Sequence, residues 1–114
     1  FIQMRKYAEA LPPLNRILGR EPGNMVALMN RAIALLQSGQ LDDAEKDYRA
    51  LLIRLPELHR VHYGLGEIAF RRKDHDTAVH HYELYLQLAP TNTDEAREVA
   101  QRLQQLKTAS RQSP

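Results

Sequence analysis

Apolar side chains between residues 25 and 56 follow the spacing of two consecutive helices. The first block, 25–38, carries an i, i+4, i+7, i+8 stripe that begins at Leu28 and ends at Leu36. A turn follows at 38–40, and a second apolar stripe runs from Ala44 to Leu55. Pro56 ends that helix, because proline removes a backbone donor and clashes with the preceding turn. The pattern predicts a unit of helix, turn, helix and proline stop.

The same unit recurs along the chain with a period of 34 residues. Proline, small and bulky side chains each keep this period, and agreement between independent series identifies a true repeat. The series are Pro22, Pro56 and Pro90; Ala10, Ala44 and Ala78; Leu14, Tyr48 and Tyr82; Ile17, Leu51 and Tyr85; Ala32, Gly66 and Ala100; and Leu35, Ala69 and Leu103. Small residues let helix backbones approach closely, and stacked units bury a core that one helix pair cannot bury alone.

This pattern resembles the tetratricopeptide repeat over about residues 7–106. The resemblance rests on Ala32, Leu35, Gly39, Leu41, Ala44, Tyr48, Leu51 and Pro56 in one period, and on Leu65, Gly66, Ala69, Ala78, Tyr82 and Pro90 in the next. It implies an all-α fold, in which antiparallel helix pairs form an α-α superhelix, a right-handed solenoid. It also implies that the chain binds another protein.

The register of the repeat predicts one domain with a short tail. We expect a domain at 1–107, made of a half repeat (7–22), two repeats (25–58 and 59–92) and a capping helix (93–107), followed by a flexible tail (108–114). The chain begins at Phe1 rather than at Met, so we expect it to be a piece of a longer protein.

Two prolines disturb the half repeat. In register, its helix would start near Ala8, which would place Pro12 and Pro13 in the second turn. A proline is tolerated in the first turn, where its missing N–H is not needed. We therefore expect the helix to begin near Leu11, and a kink is the alternative.

Polar residues ahead of three helices predict N-terminal caps. Asp42 with Glu45 and Asn92 with Glu95 have the spacing of a capping box, in which two side chains satisfy free backbone N–H groups. Asp76 is predicted to cap the helix that carries Ala78.

Composition argues against several functions. The net charge of +2 over 114 residues lacks the strong basic excess of nucleic-acid-binding domains. No apolar run approaches the ~20 residues that span a bilayer, so we expect no membrane insertion. The chain has no cysteine, which excludes disulfides, thiolate metal sites and a cysteine nucleophile.

Catalytic and cofactor sites are not predicted. The sequence has no phosphate-binding loop, no nucleophile motif and no paired carboxylates at a spacing that suggests acid–base catalysis, so we expect neither an enzyme nor a cofactor. Two histidine pairs, His59 with His62 and His80 with His81, lie on separate helices. A metal site needs ligands that converge from two elements, usually with a carboxylate or a thiolate among them. A histidine pair on one helix rarely completes such a coordination shell, so we expect no metal site. Instead, His62 should pack where the family places a large aromatic, and His80 and His81 should face outward.

The first helices of successive pairs line a concave groove in this family. Their outward residues are therefore predicted to bind a peptide or helix of a partner protein, with Met29, Ile33 and Tyr63 making apolar contacts. Packing of these three side chains against their own neighbours is the alternative. The predicted groove residues are Met29, Asn30, Ile33, Arg60, Tyr63, Glu67 and Arg97.

A narrower resemblance concerns the segment 30–32. Asn30 and the two residues after it resemble the part of tetratricopeptide domains that clamps the C-terminal carboxylate of a chaperone peptide. Arg60 matches the first basic residue of that clamp. Gly64 stands where the second would be, so the clamp is incomplete.

Arg31 departs from the apolar pattern. It aligns with Leu65 and Val99, which belong to the predicted core. We predict that its aliphatic stem packs while its head pairs with an acid or reaches the edge of the core.

Two other functions remain open. The half repeat lacks its first helix, so Leu11, Leu14 and Ile17 are candidates for self-assembly into a homodimer or a larger scaffold. Alternatively, the chain is a helper segment of a longer multidomain protein.

Overall fold

The computed structural model describes residues 2–112, with side chains described for 3–109. This part of the chain is helical and contains no β-strand. Its helices are α1 (Ile2–Glu9), α2 (Leu11–Arg20), α3 (Met25–Gln37), α4 (Leu41–Arg54), α5 (His59–Arg71), α6 (His75–Leu88) and α7 (Asp94–Gln112).

The helices form two compact units, where the sequence predicted one domain. The first unit is Phe1–Pro56 and contains α1 to α4, and the second is Glu57–Pro114 and contains α5 to α7. The boundary at 56/57 lies close to the predicted repeat boundary at 58/59.

The first unit is built around α3, which contacts α1, α2 and α4. Its small residues are fully enclosed, because Ala32 and Ala44 have 0% of their surface exposed. Leu51 on α4 is also at 0%, and Tyr48 is at 2%. These positions are the small and bulky sites of the 34-residue period, so the predicted packing roles are confirmed.

The two prolines act as predicted on α2. This helix begins at Leu11, and Pro12 and Pro13 occupy its first turn. The residues before them are helical too, since α1 ends at Glu9 and only Ala10 separates the two helices. The chain is therefore helical on both sides of a break at Ala10. The helix starts at Leu11 as predicted, and the break before it corresponds to the alternative, a kink.

In the second unit α6 contacts both α5 and α7. Tyr82 and Ala78 on α6 are at 0% exposure, and Val99 and Leu103 of α7 are buried in the same core. Gly66 meets Tyr82 so closely that a Cβ there would lie 2.7 Å from the Tyr82 ring. The small residue of the repeat is thus required at this contact.

Both helical hairpins turn through the same hydrogen-bonded motif, 34 residues apart. The N–H groups of Gly39 and Gln40 donate to the carbonyls of Leu36 and Leu35, and those of Lys73 and Asp74 donate to Phe70 and Ala69. This pairing of crossed bonds is the Schellman motif, whose turn residue is left-handed. Gly39 has φ +83° and Lys73 has φ +62°.

The caps of α6 and α7 differ from the predicted ones by two residues and one residue, and the cap predicted for α4 is not formed, since its N-cap residue Gln40 makes no capping bond. The observed caps are Asn24, Asp74 and Thr93, whose side chains accept from the backbone N–H groups of Ala27, Thr77 and Ala96. Asp42 and Asp76 instead lie inside the first turns of α4 and α6, and Asn92 lies before the cap of α7. A cap must be the residue directly before the helix, so a small shift of the start changes its identity.

Helix α7 is longer than predicted. It continues to Gln112, past the expected end at 107 and into the predicted tail. Residues 108–112 contain neither glycine nor proline, so nothing in them stops the helix. The last two residues of the predicted tail lie outside the described residues.

Candidate protein-interaction surface

On α3, the predicted groove residues lie on the side away from the core. Asn30 is exposed, and Met29 and Ile33 are half-buried. Val26 extends this face and has 73% of its surface exposed. Together they occupy the i, i+3, i+4 and i+7 positions of one helical stripe.

On α5, Arg60 is exposed and Tyr63 is half-buried. The Tyr63 ring packs against the buried ring of Tyr85, with centroids 5.7 Å apart and planes tilted by 54°. His59 contacts the same tyrosine edge-on at 5.6 Å. Burial and the carboxylate of Glu67 raise the pKa of Tyr63 to about 12, which keeps its hydroxyl protonated near neutral pH.

The prediction that Glu67 faces outward is wrong. Glu67 is only 8% exposed and accepts a 2.6 Å hydrogen bond from the Tyr82 hydroxyl. Arg102 of α7 forms an ion pair with the same carboxylate. A buried carboxylate is stable only when it is paired, so Glu67 belongs to the internal structure of the second unit.

Arg102 joins three groups of the second unit. Besides Glu67, its guanidinium donates to the Tyr82 hydroxyl at 3.2 Å and lies 4.4 Å above the Phe70 ring centroid. Burial raises the pKa of Tyr82, and the bond to Glu67 raises it further. No sequence pattern indicates this role of Arg102, because its partner Glu67 lies 35 positions away.

On α7, Arg97 is exposed and forms an ion pair with Asp94 one turn earlier. Glu98 and Gln101 are exposed beside it. These residues, with Ala100, line a surface depression. Glu95 accepts a 2.7 Å hydrogen bond from the Tyr85 hydroxyl, which ties the start of α7 to α6.

The predicted pairing of Arg31 is confirmed. Its Nε and Nη2 donate to the two carboxylate oxygens of Asp47 at 2.7 and 2.9 Å, and its Nη1 donates to Asn15 at 3.1 Å. The hydrogen bonding that Arg31 donates to Asp47 is the main cause of the raised pKa of Arg31. The break in the apolar register at Arg31 signalled a partner, but it did not identify Asp47.

The histidines are arranged differently from the prediction in one respect. His62 is buried as expected, and His80 is exposed. His81 is also buried, at 8% exposure, and its Nδ1 lies 3.1 Å from Nδ1 of His62. Among the described residues no three histidine, aspartate, glutamate or cysteine side chains are grouped to hold a metal ion.

The residues predicted for self-assembly are partly enclosed within the first unit. Leu11 and Leu14 are half-buried, while Ile17 has 39% of its surface exposed. Met4 and Tyr7 on α1 are exposed as well, at 44% and 39%.

No helix in the described range, 2–112, combines the length and the apolar character that a membrane span needs.

Comparison with known proteins supports a general role in protein interaction. The chain is 28% identical over 111 residues to Hsp70-Hsp90 organizing protein 3 of Arabidopsis thaliana, an alignment that covers 97% of this chain and 20% of that protein. The chain thus spans about a fifth of the length of this relative. The tetratricopeptide repeat profile matches residues 1–57 and 29–93. Together with the helical hairpins and their 34-residue period, these matches show that the chain belongs to the tetratricopeptide repeat family.

Proposed function

We propose that this chain binds a peptide or a short helix of a partner protein, through the outward face of α3 in the first unit and through the outward faces of α5 and α7 in the second. The observation that carries the proposal is the stripe on α3, where Val26 is 73% exposed and Met29 and Ile33 keep part of their surface open. Apolar side chains grouped on one exposed face are typical of interaction surfaces.

The spacing of this stripe suits a peptide ligand. Its apolar members lie one turn apart, so they can contact successive side chains of a helix or of an extended segment. Asn30 lies between them and offers both a donor and an acceptor to a peptide backbone. On the second unit, Tyr63 offers an aromatic surface, and Arg60 and Arg97 offer charges.

Surface variants test the proposal. We would immobilise the wild-type chain and the variants Met29→Glu and Tyr63→Ala, capture partners from lysate, and measure the affinity of the shortest binding peptide by calorimetry. The matched control is Ile53→Glu, because Ile53 is 83% exposed on α4, outside the proposed surface. We expect each surface variant to weaken binding by about tenfold and the control to bind like wild type. Equal binding by all four proteins would sink the proposal.

The name of the relative suggests one set of probes. Synthetic C-terminal peptides of Hsp70 and Hsp90, each with a free and an amidated end, would test the carboxylate clamp. A clamp requires binding that depends on the free carboxylate and that Arg60→Gln weakens. Gly64 has no side chain to supply the second cation, so we expect at most weak binding of these peptides.

Self-assembly is the second candidate function, and the exposed apolar residues of α1 and α2 favour it. Met4, Tyr7 and Ile17 present large apolar side chains on the first unit. If they mediate a homodimer, sedimentation velocity will show a dimer at high concentration that Ile17→Glu abolishes and Ile53→Glu leaves intact. A monomer at all concentrations contradicts this candidate. A role as the interaction segment of a longer multidomain protein is compatible with either function.

A further inference from the structure

Tyr63 is half-buried and packs against the core of the second unit. Its ring contacts that of Tyr85, which is 1% exposed and therefore belongs to this core. Tyr63 itself is half-buried, so part of its side chain stays accessible. An open aromatic face with a rigid backing is a favourable contact for a partner side chain, because little conformational entropy is lost on binding.

Two carboxylates of α7 belong to the same region as this ring. Glu95 bonds the hydroxyl of Tyr85, the ring on which Tyr63 leans, and this places its carboxylate beside the aromatic pair. Glu98 lies one turn further along the same face of α7 and is exposed. Burial is the main cause of the raised pKa of Tyr63; the negative charges of Glu67, Glu95 and Glu98 raise it further, and Arg102 opposes them.

The two neighbouring cations of α7 are already engaged. Arg102 is held by Glu67 and by the Phe70 ring, and Arg97 is paired with Asp94. Glu98 makes no ion pair within the described part of the chain. On the α7 side of Tyr63 the surface therefore carries an excess of negative charge, although Arg60 is an exposed cation on α5 and the whole chain has a net charge of +2.

We propose that this surface, defined by Tyr63, Glu95 and Glu98, receives a lysine or arginine side chain of the partner peptide. The cation would contact the open face of the tyrosine ring while the two carboxylates neutralise its charge. A cation placed over an aromatic ring gains more as it is desolvated, and nearby carboxylates add to the attraction. This inference rests on the proposed function and narrows the partner to a basic segment.

Arg60 places a positive charge on the α5 side of this surface. It is exposed one turn before Tyr63 on α5, so it repels a second cation and attracts an acidic group. A carboxylate-clamp ligand would depend on Arg60, whereas a basic ligand would depend on Glu95 and Glu98. The two modes therefore respond to opposite substitutions.

The test is selection from a random peptide library displayed on phage, using the wild-type chain and the double variant Glu95→Gln, Glu98→Gln as targets. We expect lysine and arginine to be enriched in peptides that bind wild type, and this enrichment to disappear with the double variant. For a selected peptide, fluorescence anisotropy should show roughly three- to fivefold weaker binding to Glu98→Gln and to Tyr63→Leu. Glu57→Gln, which neutralises an exposed carboxylate just before α5, is the matched control and should change nothing.

The outcomes separate this inference from the proposed function. Selected peptides that lose affinity with Tyr63→Ala or Met29→Glu but have no basic excess would overturn the inference alone. Selected peptides that are acidic and depend on Arg60 would replace it with the clamp. Peptides that are unaffected by these substitutions, or no enrichment at all, would count against both.

Discussion

Arg31 and Asp47 form a two-pronged ion pair across the helices α3 and α4, at 2.7 and 2.9 Å. The Asp47 side chain is 9% exposed and that of Arg31 is 28% exposed. Removing one partner leaves the other charge poorly solvated. We therefore expect Arg31→Leu and Asp47→Leu each to lower the free energy of unfolding by about 1–3 kcal/mol.

The double variant Arg31→Leu, Asp47→Leu should recover most of that loss, because an apolar pair replaces a partly buried ion pair at little cost. Urea denaturation followed by circular dichroism provides the measurement. Additive losses in the double variant would mean that the pair is not coupled. The second unit has Leu65 where the first has Arg31, which shows that the repeat accepts an apolar residue at this position.

Gly66 is expected to resist substitution although it lies inside a helix. Alanine favours helix by about 1 kcal/mol over glycine. The added Cβ would, however, lie 2.7 Å from the ring of Tyr82, which is fully buried and hydrogen-bonded to Glu67. Gly66→Ala should therefore lower stability by about 1–3 kcal/mol, since the ring cannot move freely.

Gly19 is the matched control for this substitution. It lies in α2 and has no atom within 4 Å of an added Cβ. Gly19→Ala should raise the free energy of unfolding by up to about 1 kcal/mol in the same denaturation experiment. If both substitutions changed stability in the same direction, the contact between Gly66 and Tyr82 would not be limiting.

Lys73 occupies a backbone conformation that suits glycine. Its φ of +62° matches the φ of +83° at Gly39, the equivalent turn residue of the first hairpin. A side chain in this region costs about 1–2 kcal/mol, and the greater freedom of unfolded glycine offsets part of the gain. Lys73→Gly should raise the free energy of unfolding by roughly 0.5–1 kcal/mol, and the melting temperature with it.

Gly39→Ala makes the opposite change in the equivalent turn of the first hairpin. An added Cβ there would meet Met4 at 3.5 Å, an ordinary contact, so the backbone conformation is the main cost. Thermal melts followed at 222 nm should show a lower midpoint for Gly39→Ala. A higher midpoint for Gly39→Ala, or a lower one for Lys73→Gly, would contradict the assignment of strain.

Glu67 is expected to stabilise the folded state. Its removal leaves the Arg102 guanidinium and the Tyr82 hydroxyl without their common acceptor. Glu67→Ala should lower the free energy of unfolding by about 1–3 kcal/mol. Glu98→Ala, at an exposed position, should stay within about 0.5 kcal/mol of wild type. Chemical denaturation of the two variants checks the difference, and equal effects would contradict the buried role of Glu67.

Alkaline pH should destabilise the second unit. Burial raises the pKa values of Tyr63, Tyr82 and Tyr85 above the ordinary value of 10, that of Tyr63 to about 12. The folded state thus holds these protons more tightly than the unfolded chain does. Their contribution is complete below pH 10 and is lost as pH rises through 10 to 12.

Thermal melts between pH 9 and pH 11.5, with tyrosinate absorbance at 295 nm, measure this loss. Tyr82→Phe removes one of the titrating groups, so its melting temperature should fall less steeply with pH than that of wild type. Parallel slopes for the two proteins would show that Tyr82 does not contribute to the pH dependence.

The helices and the buried positions of this protein could be predicted from its sequence, whereas the partners of its polar side chains could not. The period of 34 residues was sufficient to predict the helical hairpins, the buried small residues Ala32, Ala44 and Ala78, and the buried rings of Tyr48 and Tyr82. These features follow from local spacing, because a helix repeats every 3.6 residues and places each position on a defined face. Repetition of the unit made the pattern visible.

Side-chain partners depended on the packing of helices against one another. Arg31 reaches Asp47 over 16 positions of sequence, and Glu67 reaches Arg102 over 35, so no local spacing identifies either pair. The same holds for His81, which helix packing turns toward His62 instead of solvent. Sequence by itself determined which faces are apolar, and only the tertiary structure decided which polar groups those faces enclose, because pairing requires distances that the angles between helices create.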